Sequence, residues 1–532
     1  MCIRDRNHII IILLALWLII NLVTAGATEL TADEAYYWLY GKKLAWGYFD
    51  HPPLIALYNY WIDHNIFHHE ISVRLLSILS TTGYIYILYK FIEPKNIWLF
   101  TSIIGSSIAL HIFGFISVPD TPLLLLSGLF YYFFLKYLKH NNTTSIFSLS
   151  IIIPLLFYTK YHAILIIFFS LLSSPKVFTR QSFYLIALGS ITLYLPHIYW
   201  QITNDYPSIK YHFLERNSHH YDLFFTLDYL IGQFLFFGPF LVLGSMAFIF
   251  CNLKKTLAQD KLRILLFNYF GFLIFFGLSS FKGWTEVNWT IPTILPITYF
   301  SYIYFDSSSN RIKKGFYSTS ILSLVILSFL RLHIISPLFE SNNPSTDRTL
   351  DFHGHQEFAD TLNSIIGNQS LCTIRYQEAS LLSYYTGKMV TSNNCKGRKN
   401  IFNTWNVIDD IHNKPSYFLN DYHQQGTKVS SLKSDYKLTF YEHLPSYKGV
   451  NVTDITYTKD TLKITFDSQW FKKLISKPEP YKTNIYLELT NSQDSTIKKT
   501  LSIDSLNQQL PDNKTINNYI NLHLKKGKYL AY

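Results

Sequence analysis

The sequence predicts a polytopic α-helical membrane protein with a C-terminal extracytoplasmic soluble region, α/β first and β-rich after it. Three observations predict this. Of 532 residues, 49% are hydrophobic and 17% aromatic, and only 15% are charged, against about 25% charged in ordinary soluble domains. The charge is unevenly placed: from residue 9 to about 337, long apolar runs alternate with short polar punctuation, and from about 338 the composition is that of a soluble protein. The apolar runs also have the length a bilayer demands, roughly 17–25 residues of helix. The expected organisation is a membrane domain over 1–337, an α/β domain over 338–447 and a β-sandwich-like domain over 448–532.

The candidate spans, about eleven, are 9–25, 71–90, 97–117, 121–138, 144–158, 161–174, 182–200, 229–251, 264–281, 289–305 and 317–337. The first is too long for a signal peptide and lacks a small-residue cleavage pattern, so it reads as a retained helix. The opening Met-Cys-Ile-Arg-Asp-Arg resembles a translated adapter scar. Residues 52–69 follow Pro52-Pro53 and are amphipathic, which suits a helix lying in the interface.

Basic residues set the direction, because cytoplasmic loops collect Lys and Arg. With the N-terminus inside, fifteen fall in inside segments: Arg4, Arg6, Lys90, Lys95, Lys136, Lys139, Lys176, Arg180, Lys254, Lys255, Lys261, Arg263, Arg311, Lys313 and Lys314. Seven fall outside: Lys42, Lys43, Arg74, Lys160, Lys210, Arg216 and Lys282. The expectation is a cytoplasmic N-terminus and an extracytoplasmic C-terminal region. The net charge of +11 is thereby explained by topology, and no basic stripe or motif points to nucleic acid. Cys372 and Cys395 would lie where a disulfide is permitted; Cys2 and Cys251 stand alone.

The same topology puts the unusual polar clusters on one face. They are Thr31-Ala-Asp33-Glu34-Ala-Tyr36-Tyr37, Tyr48-Phe-Asp50-His51-Pro52-Pro53, Pro119-Asp120-Thr121-Pro122, Lys160-Tyr161-His162, the segment with His212 and Arg216, and Lys282-Gly-Trp284-Thr-Glu286-Val-Asn288-Trp289. Ionisable groups at membrane depth are costly and usually face a cavity with a partner. A carboxylate can take the proton of a reacting hydroxyl, cations can hold a phosphate and the charge it gains on leaving, and Tyr and Trp suit a sugar ring or prenyl chain. Plainer readings stand beside these. Asp33-Glu34 and Asp120 can cap helices, Lys282 can snorkel to headgroups, and His64, His68 and His69 read as solvated histidines rather than metal ligands.

Taken in order, Asp33-Glu34-Ala-Tyr-Tyr, Tyr48-Phe-Asp-His51-Pro-Pro-Leu, Pro119-Asp-Thr-Pro-Leu, Lys160-Tyr, and Lys282 with Asn288-Trp289 and Pro292 resemble the bacterial glycosyltransferase family 39 proteins, relatives of the protein O-mannosyltransferases and the ArnT-like lipid A aminoarabinose transferases. The resemblance covers about 25–305. It implies a fold of the glycosyltransferase C type and an inverting transfer of sugar from a polyprenyl-phosphate carrier to an acceptor hydroxyl of a glycan, lipid or protein, at the periplasmic side of a bacterial inner membrane. It implies Asp33 as catalytic base, with Glu34 and Asp120 supporting it or binding acceptor. Asp50, His51, Tyr36, Tyr37, Lys160, Tyr161, His212, Arg216, Lys282 and Asn288 are expected to bind substrate, with Lys160, Arg216 and Lys282 cradling the carrier phosphate. His51 stands where the lipid A transferases carry a lysine before the double proline, which leaves the acceptor open. No obligatory cofactor is expected; a divalent cation is the one addition this chemistry would accept. A transporter or flippase of lipid-linked sugars and a non-catalytic scaffold are the rival readings. The first usually shows internal repeats and helices broken near the midplane, and the second leaves the carboxylate–cation mixture without a purpose.

Overall fold

The structure, a computed structural model, describes residues 3–65, 68–212, 221–339 and 346–444 apart from 394–398, 406, 412–413 and 422–425. Beyond 444 it describes only strands. Arg216 and Cys395 lie outside the described residues. The chain divides into two compact units: 1–365 with 380–388 and 429–435, and 366–379 with 389–428 and 436–532.

The first unit is helical. Its elements are α1 (Ile3–Gly26), α2 (Ala32–Tyr40), α3 (Leu54–Asn65), α4 (Glu70–Ile92), α5 (Ile97–Gly105), α6 (Ile108–Phe113), α7 (Asp120–His140), α8 (Thr143–Thr159), α9 (Ala163–Ser173), α10 (Gln181–Thr203), α11 (Pro207–Lys210), α12 (Leu223–Phe237), α13 (Pro239–Cys251), α14 (Leu253–Ala258), α15 (Asp260–Ser279), α16 (Ile294–Ser307) and α17 (Asn310–Ile335), then α18 (His355–Ile366). Among the described residues six helices, α1, α4, α7, α10, α15 and α17, are long and apolar enough to cross a membrane, and α12 with α13 makes a seventh if the bent pair is one span. All eleven apolar segments are largely helical, but not all are single straight spans. The 97–117 run breaks at Ser106-Ser107 into α5 and α6, and 229–251 bends by 96° between α12 and α13. The bend has a local cause. Gly238 sits at φ +94°, a conformation other residues adopt only with strain, and Pro239 offers no N–H to continue the α12 ladder. The 289–305 run opens as a 3-10 turn, Val287–Thr293, before α16.

Packing ranks these helices. In α4 and α7, 56% and 61% of the apolar window is buried, whereas in α17 and α10 it is 11% and 22%. The latter turn Leu185, Leu188, Ile191, Leu322, Val325 and Phe329 outward. An apolar outer face on that scale has a natural solvent only in hydrocarbon. The core between them is aliphatic and aromatic: Ile85, Leu88, Phe100, Leu124, Phe130, Ile166, Phe272 and Leu295 are fully buried or nearly so.

A five-stranded sheet, most of it in the second unit, has the order β2-β1-β3-β5-β4, from β1 (Ser370–Thr373), β2 (Thr391–Ser392), β3 (Ser416–Asn420), β4 (Thr427–Ser430) and β5 (Asp435–Tyr441). β1 runs parallel to β2 and β3, and β5 antiparallel to β3. The helix α19 (Tyr376–Thr386) forms the crossover between β1 and β2, the connection that parallel strands require. The alternating sequence further on forms two three-stranded antiparallel sheets: β10-β7-β6, from β6 (Val452–Thr458), β7 (Thr461–Asp467) and β10 (Thr515–Asn521), and β11-β8-β9, from β8 (Ile485–Asn491), β9 (Thr496–Leu501) and β11 (Tyr529–Ala531).

Candidate active site

α2 is a short helix set across the start of the bundle, and its two acidic residues have separate fates. Glu34 is fully buried. It accepts from Arg74 Nε at 2.8 Å and Nη2 at 2.8 Å, from the main-chain N–H of Thr31 at 2.9 Å and from that of Ser117 at 2.8 Å. Burial alone would push this carboxyl up in pKa. The Arg74 guanidinium and the hydrogen bonds from Arg74, Thr31 and Ser117 outweigh it and hold the group below the usual range. Arg74, also fully buried, spends its remaining donors on the chain leaving α1. Nη1 donates to the carbonyls of Ala25 (3.1 Å) and Thr28 (2.9 Å) and to Thr28 Oγ1 (2.7 Å), and Nη2 to the carbonyl of Glu29 (2.7 Å). The pair therefore ties α1, α2, α4 and the turn before α7 together. Asp33, one residue earlier and so about 100° round the helix, is exposed.

A second carboxylate–cation pair lies at the same end. Asp120 is the first residue of α7 and Lys160 follows the last residue of α8. Lys160 Nζ donates to both carboxylate oxygens at 2.8 and 3.0 Å, and Asn288 Nδ2 donates to Oδ2 at 3.0 Å. Asp120 and Lys160 are 3% and 5% exposed. Two protons of the ammonium are spent on Asp120; the third remains for another acceptor.

The first loop supplies a third group. Asp50 is buried and accepts from the hydroxyls of Tyr36 (3.4 Å) and Tyr40. Burial, with Asp50 adding to it, raises the Tyr40 phenol well above its ordinary pKa, so it stays a donor. Tyr37 hydrogen-bonds His51 at 3.0 Å. The loop is held against α10 and α11: His197 Nδ1 meets the Trp46 carbonyl at 2.6 Å, Ser208 donates to the Tyr48 carbonyl at 2.8 Å and His212 meets the Asp50 carbonyl at 3.2 Å. At Gly47 any side chain would collide with the Trp200 ring, so the loop fits only as glycine there. Tyr161 joins the group through His197 (3.3 Å) and Gln201 (3.1 Å), and its ring lies 5.5 Å from that of His212.

The structure thus brings together Glu34, Asp120, Lys160 and Asn288, with Ser117 three residues before Asp120 as the link, and separately Tyr36, Tyr37, Asp50, His51, Tyr161 and His212. Lys282 stands apart, exposed in the turn after α15 with no hydrogen bond or ion pair of its ammonium among the described residues. Of the three histidines near 64–69, His69 accepts from the Ile71 N–H at the start of α4 (3.1 Å) and the His68 ring lies tilted against Tyr384 (4.2 Å); the side chain of His64 is outside the described residues. Sequence reasoning missed Arg74, His197 and Gln201 as parts of the site. Arg74 and His197 sit inside apolar runs, where an ionisable residue is itself the signal; Gln201, an amide just past the 182–200 run, carries no such signal.

The fold has solved counterparts. The structure of ArnT from Cupriavidus metallidurans in the apo state superposes with a TM-score of 0.58 at 10% sequence identity, over 81% of this chain and 98% of that one. The same protein bound to undecaprenyl phosphate superposes at 0.59 and 11% identity, again over 81% and 98%. The fold is that of ArnT. Residues 50–200 also match the family of dolichyl-phosphate-mannose-protein mannosyltransferases. That stretch runs from Asp50 to Trp200, so it includes Asp120, Lys160 and Tyr161 and stops short of Asp33, His212 and Asn288. No curated protein matches the chain in sequence. Both matches are to membrane glycosyltransferases, the kind of protein the loop motifs resemble.

Proposed function

We propose that this chain is a glycosyltransferase that moves a sugar from a polyprenyl-phosphate carrier to an acceptor hydroxyl at the extracytoplasmic face of a bacterial inner membrane, without an obligatory cofactor. The observation that carries the reading is the split on α2. Glu34 is saturated by Arg74, Thr31 and Ser117, whereas its neighbour Asp33 is exposed at the same end of the bundle as the Asp120–Lys160 pair. A carboxylate locked below its usual pKa by four donors is a poor proton acceptor; an exposed one on an anchored helix is a usable one. ArnT, which shares the fold, has been seen with undecaprenyl phosphate, and this supports the carrier class.

In the reaction, the acceptor oxygen forms a bond to the anomeric carbon while that carbon's bond to the carrier phosphate breaks, so the configuration inverts. Asp33 takes the hydroxyl proton. The phosphate leaves with the electron pair and is received by Lys282, Arg216 and the remaining proton of Lys160. Glu34 and Arg74 touch neither reactant and hold α2 in place. Tyr36, Tyr37, Asp50, His51, Tyr161 and His212 line the acceptor or sugar side. The test is transfer from a labelled polyprenyl-phosphate sugar in membranes. Asp33→Asn is expected to lower turnover by roughly 10²–10⁴-fold at unchanged protein level. Activity near that of the unsubstituted chain removes Asp33 as base, and a donor that is moved but never cleaved favours the transporter reading.

A further inference from the structure

Immediately before α2 the chain runs through Thr28, Glu29, Leu30 and Thr31, and most of its main-chain groups have partners. Arg74 takes the carbonyls of Thr28 and Glu29. The N–H of Thr31 goes to Glu34. The amides of Glu29 and Leu30 are claimed from far along the sequence. Glu29 N–H donates to the carbonyl of Phe352 at 2.9 Å, and Leu30 N–H donates to the hydroxyl of Tyr385 at 2.6 Å. That hydroxyl in turn donates to Glu70 Oε1 at 3.2 Å, so its proton points away from Leu30 and its oxygen is fixed as the acceptor. The Glu29 side chain closes the loop. Its carboxylate accepts from the N–H of His355 (2.5 Å) and of Gln356 (3.1 Å), the unsatisfied donors of the first turn of α18. The His355 ring then stacks on Tyr385 at 5.9 Å, and Tyr384 packs edge-on against Trp38 of α2 at 4.9 Å.

We propose that Tyr385 and Glu29 are positioning residues for the transfer: the segment that follows the last helix of the bundle clamps the lead-in to α2 and thereby sets where the Asp33 carboxylate stands. The inference rests on the reading of Asp33 given above. Arg74 alone fixes carbonyls on one side of the lead-in. Without the Tyr385 hydroxyl the Leu30 amide loses its acceptor, and without the α18 cap only the Phe352 carbonyl and Arg74 still hold Glu29; the first turn of α2 can then shift against an acceptor hydroxyl that must lie within hydrogen-bond reach of Asp33. Misplacement of a reacting group by about 1 Å can cost on the order of 10²-fold in rate, with binding of the remote carrier untouched.

Two measurements on the full chain in lipid nanodiscs test this. In transfer assays, Tyr385→Phe removes the hydroxyl and keeps the ring. It is expected to lower kcat between about tenfold and 10²-fold with the KM for the lipid donor unchanged. Glu29→Ala is expected to do the same, whereas Glu29→Gln, which keeps one acceptor oxygen for the α18 amides and replaces the other by an NH2, restores part of the rate. In hydrogen–deuterium exchange, the amides of residues 29–35 exchange faster in Tyr385→Phe and Glu29→Ala than in the unsubstituted chain or Glu29→Gln. Unchanged exchange in this window, or a Glu29→Gln variant as impaired as Glu29→Ala, overturns the clamp. If Asp33→Asn is inactive while Tyr385→Phe is fully active, the clamp fails and the reading of Asp33 stands. If Asp33→Asn is fully active, the reading fails, and the exchange data alone decide whether the clamp exists.

Discussion

The two ends of the helical bundle both gather cations, and the partners differ. At the end that holds α2, Arg74 and Lys160 face the carboxylates of Glu34 and Asp120, buried on both sides. At the opposite end the cations face chiefly main-chain carbonyls, with an exposed ion pair from Arg263 to Asp260 (2.5 Å) beside them. Arg6 donates to the carbonyl of Pro94 (3.0 Å), Lys261 to Phe91 (2.7 Å), Arg180 to Tyr137 and Leu138 (2.8 Å each), and Arg263 to Ser173 (2.7 Å). Those carbonyls belong to the last turns of α4, α7 and α9 or the residues just after them, where helices leave acceptors unsatisfied and the dipole favours positive charge. One end thus uses its cations as helix caps, a cheap device that tolerates water. The other removes whole charge pairs from water, a costly device that repays itself only where a fixed geometry is needed. A count of basic residues treats the two alike; the identity of the partner separates them.

The largest effect should come from the first kind of contact. Arg74→Ala strands Glu34 as a fully buried, unpaired carboxylate and is expected to cost about 3–5 kcal/mol, read as a fall in thermal midpoint in detergent. Adding Glu34→Ala should recover part of the loss. If the single change costs no more than a cap at the opposite end, the contrast is wrong. An intermediate case lies in the second unit, where the guanidinium of Arg375 is shared by Glu378 (3.3 Å) and Asp421 (2.9 Å) while Tyr436 donates to Glu378 (3.3 Å). Burial pushes the Glu378 carboxyl up to about 7, with Arg375 opposing and Asp421 adding to the rise. A carboxyl raised on folding stabilises when protonated. Its contribution is whole below about pH 4.5, shrinks as pH rises, and is gone above about 7. Glu378→Gln should flatten that slope, on the order of 2–3 kcal/mol across the window, in pH-dependent unfolding of the chain. An unaltered slope would assign the dependence to other groups. The smallest effect belongs to Arg180→Ala, about 1–2 kcal/mol for two charged hydrogen bonds at one helix end, measured by the same thermal shift.

Much of this was legible from sequence, for reasons that differ by element. α1, α4, α7, α10, α15 and α17 are long apolar runs between polar stops, and each formed over its expected run, α1 and α17 beginning six and seven residues earlier than expected. The breaks at Ser106-Ser107 and Gly238-Pro239 were not read, because a hydropathy window averages across a bend; Gly-Pro inside such a run is nonetheless a breaker by its own chemistry. The loop carboxylates and Lys160 stood out as charges beside spans. Their division of labour did not, since Asp33 and Glu34 are adjacent and chemically alike, and only the arrival of Arg74 from within α4 separates them. The alternation at 462–466 and 484–490 announced β7 and β8, as period-two patterns do.

The bond between the Leu30 amide and Tyr385 spans 355 positions. At a synthesis rate of about 5–20 residues per second, the chain meets that partner roughly 20–70 s after Leu30 is made. Over the last part of that interval, after α17 ends at Ile335, every span of the bundle can already be in the bilayer while the first loop still lacks its last restraint. A chain released before Tyr385 would therefore be a finished membrane domain with an unfinished first loop. Tyr385 must also reach the same face of the bilayer as Leu30 before that loop is complete.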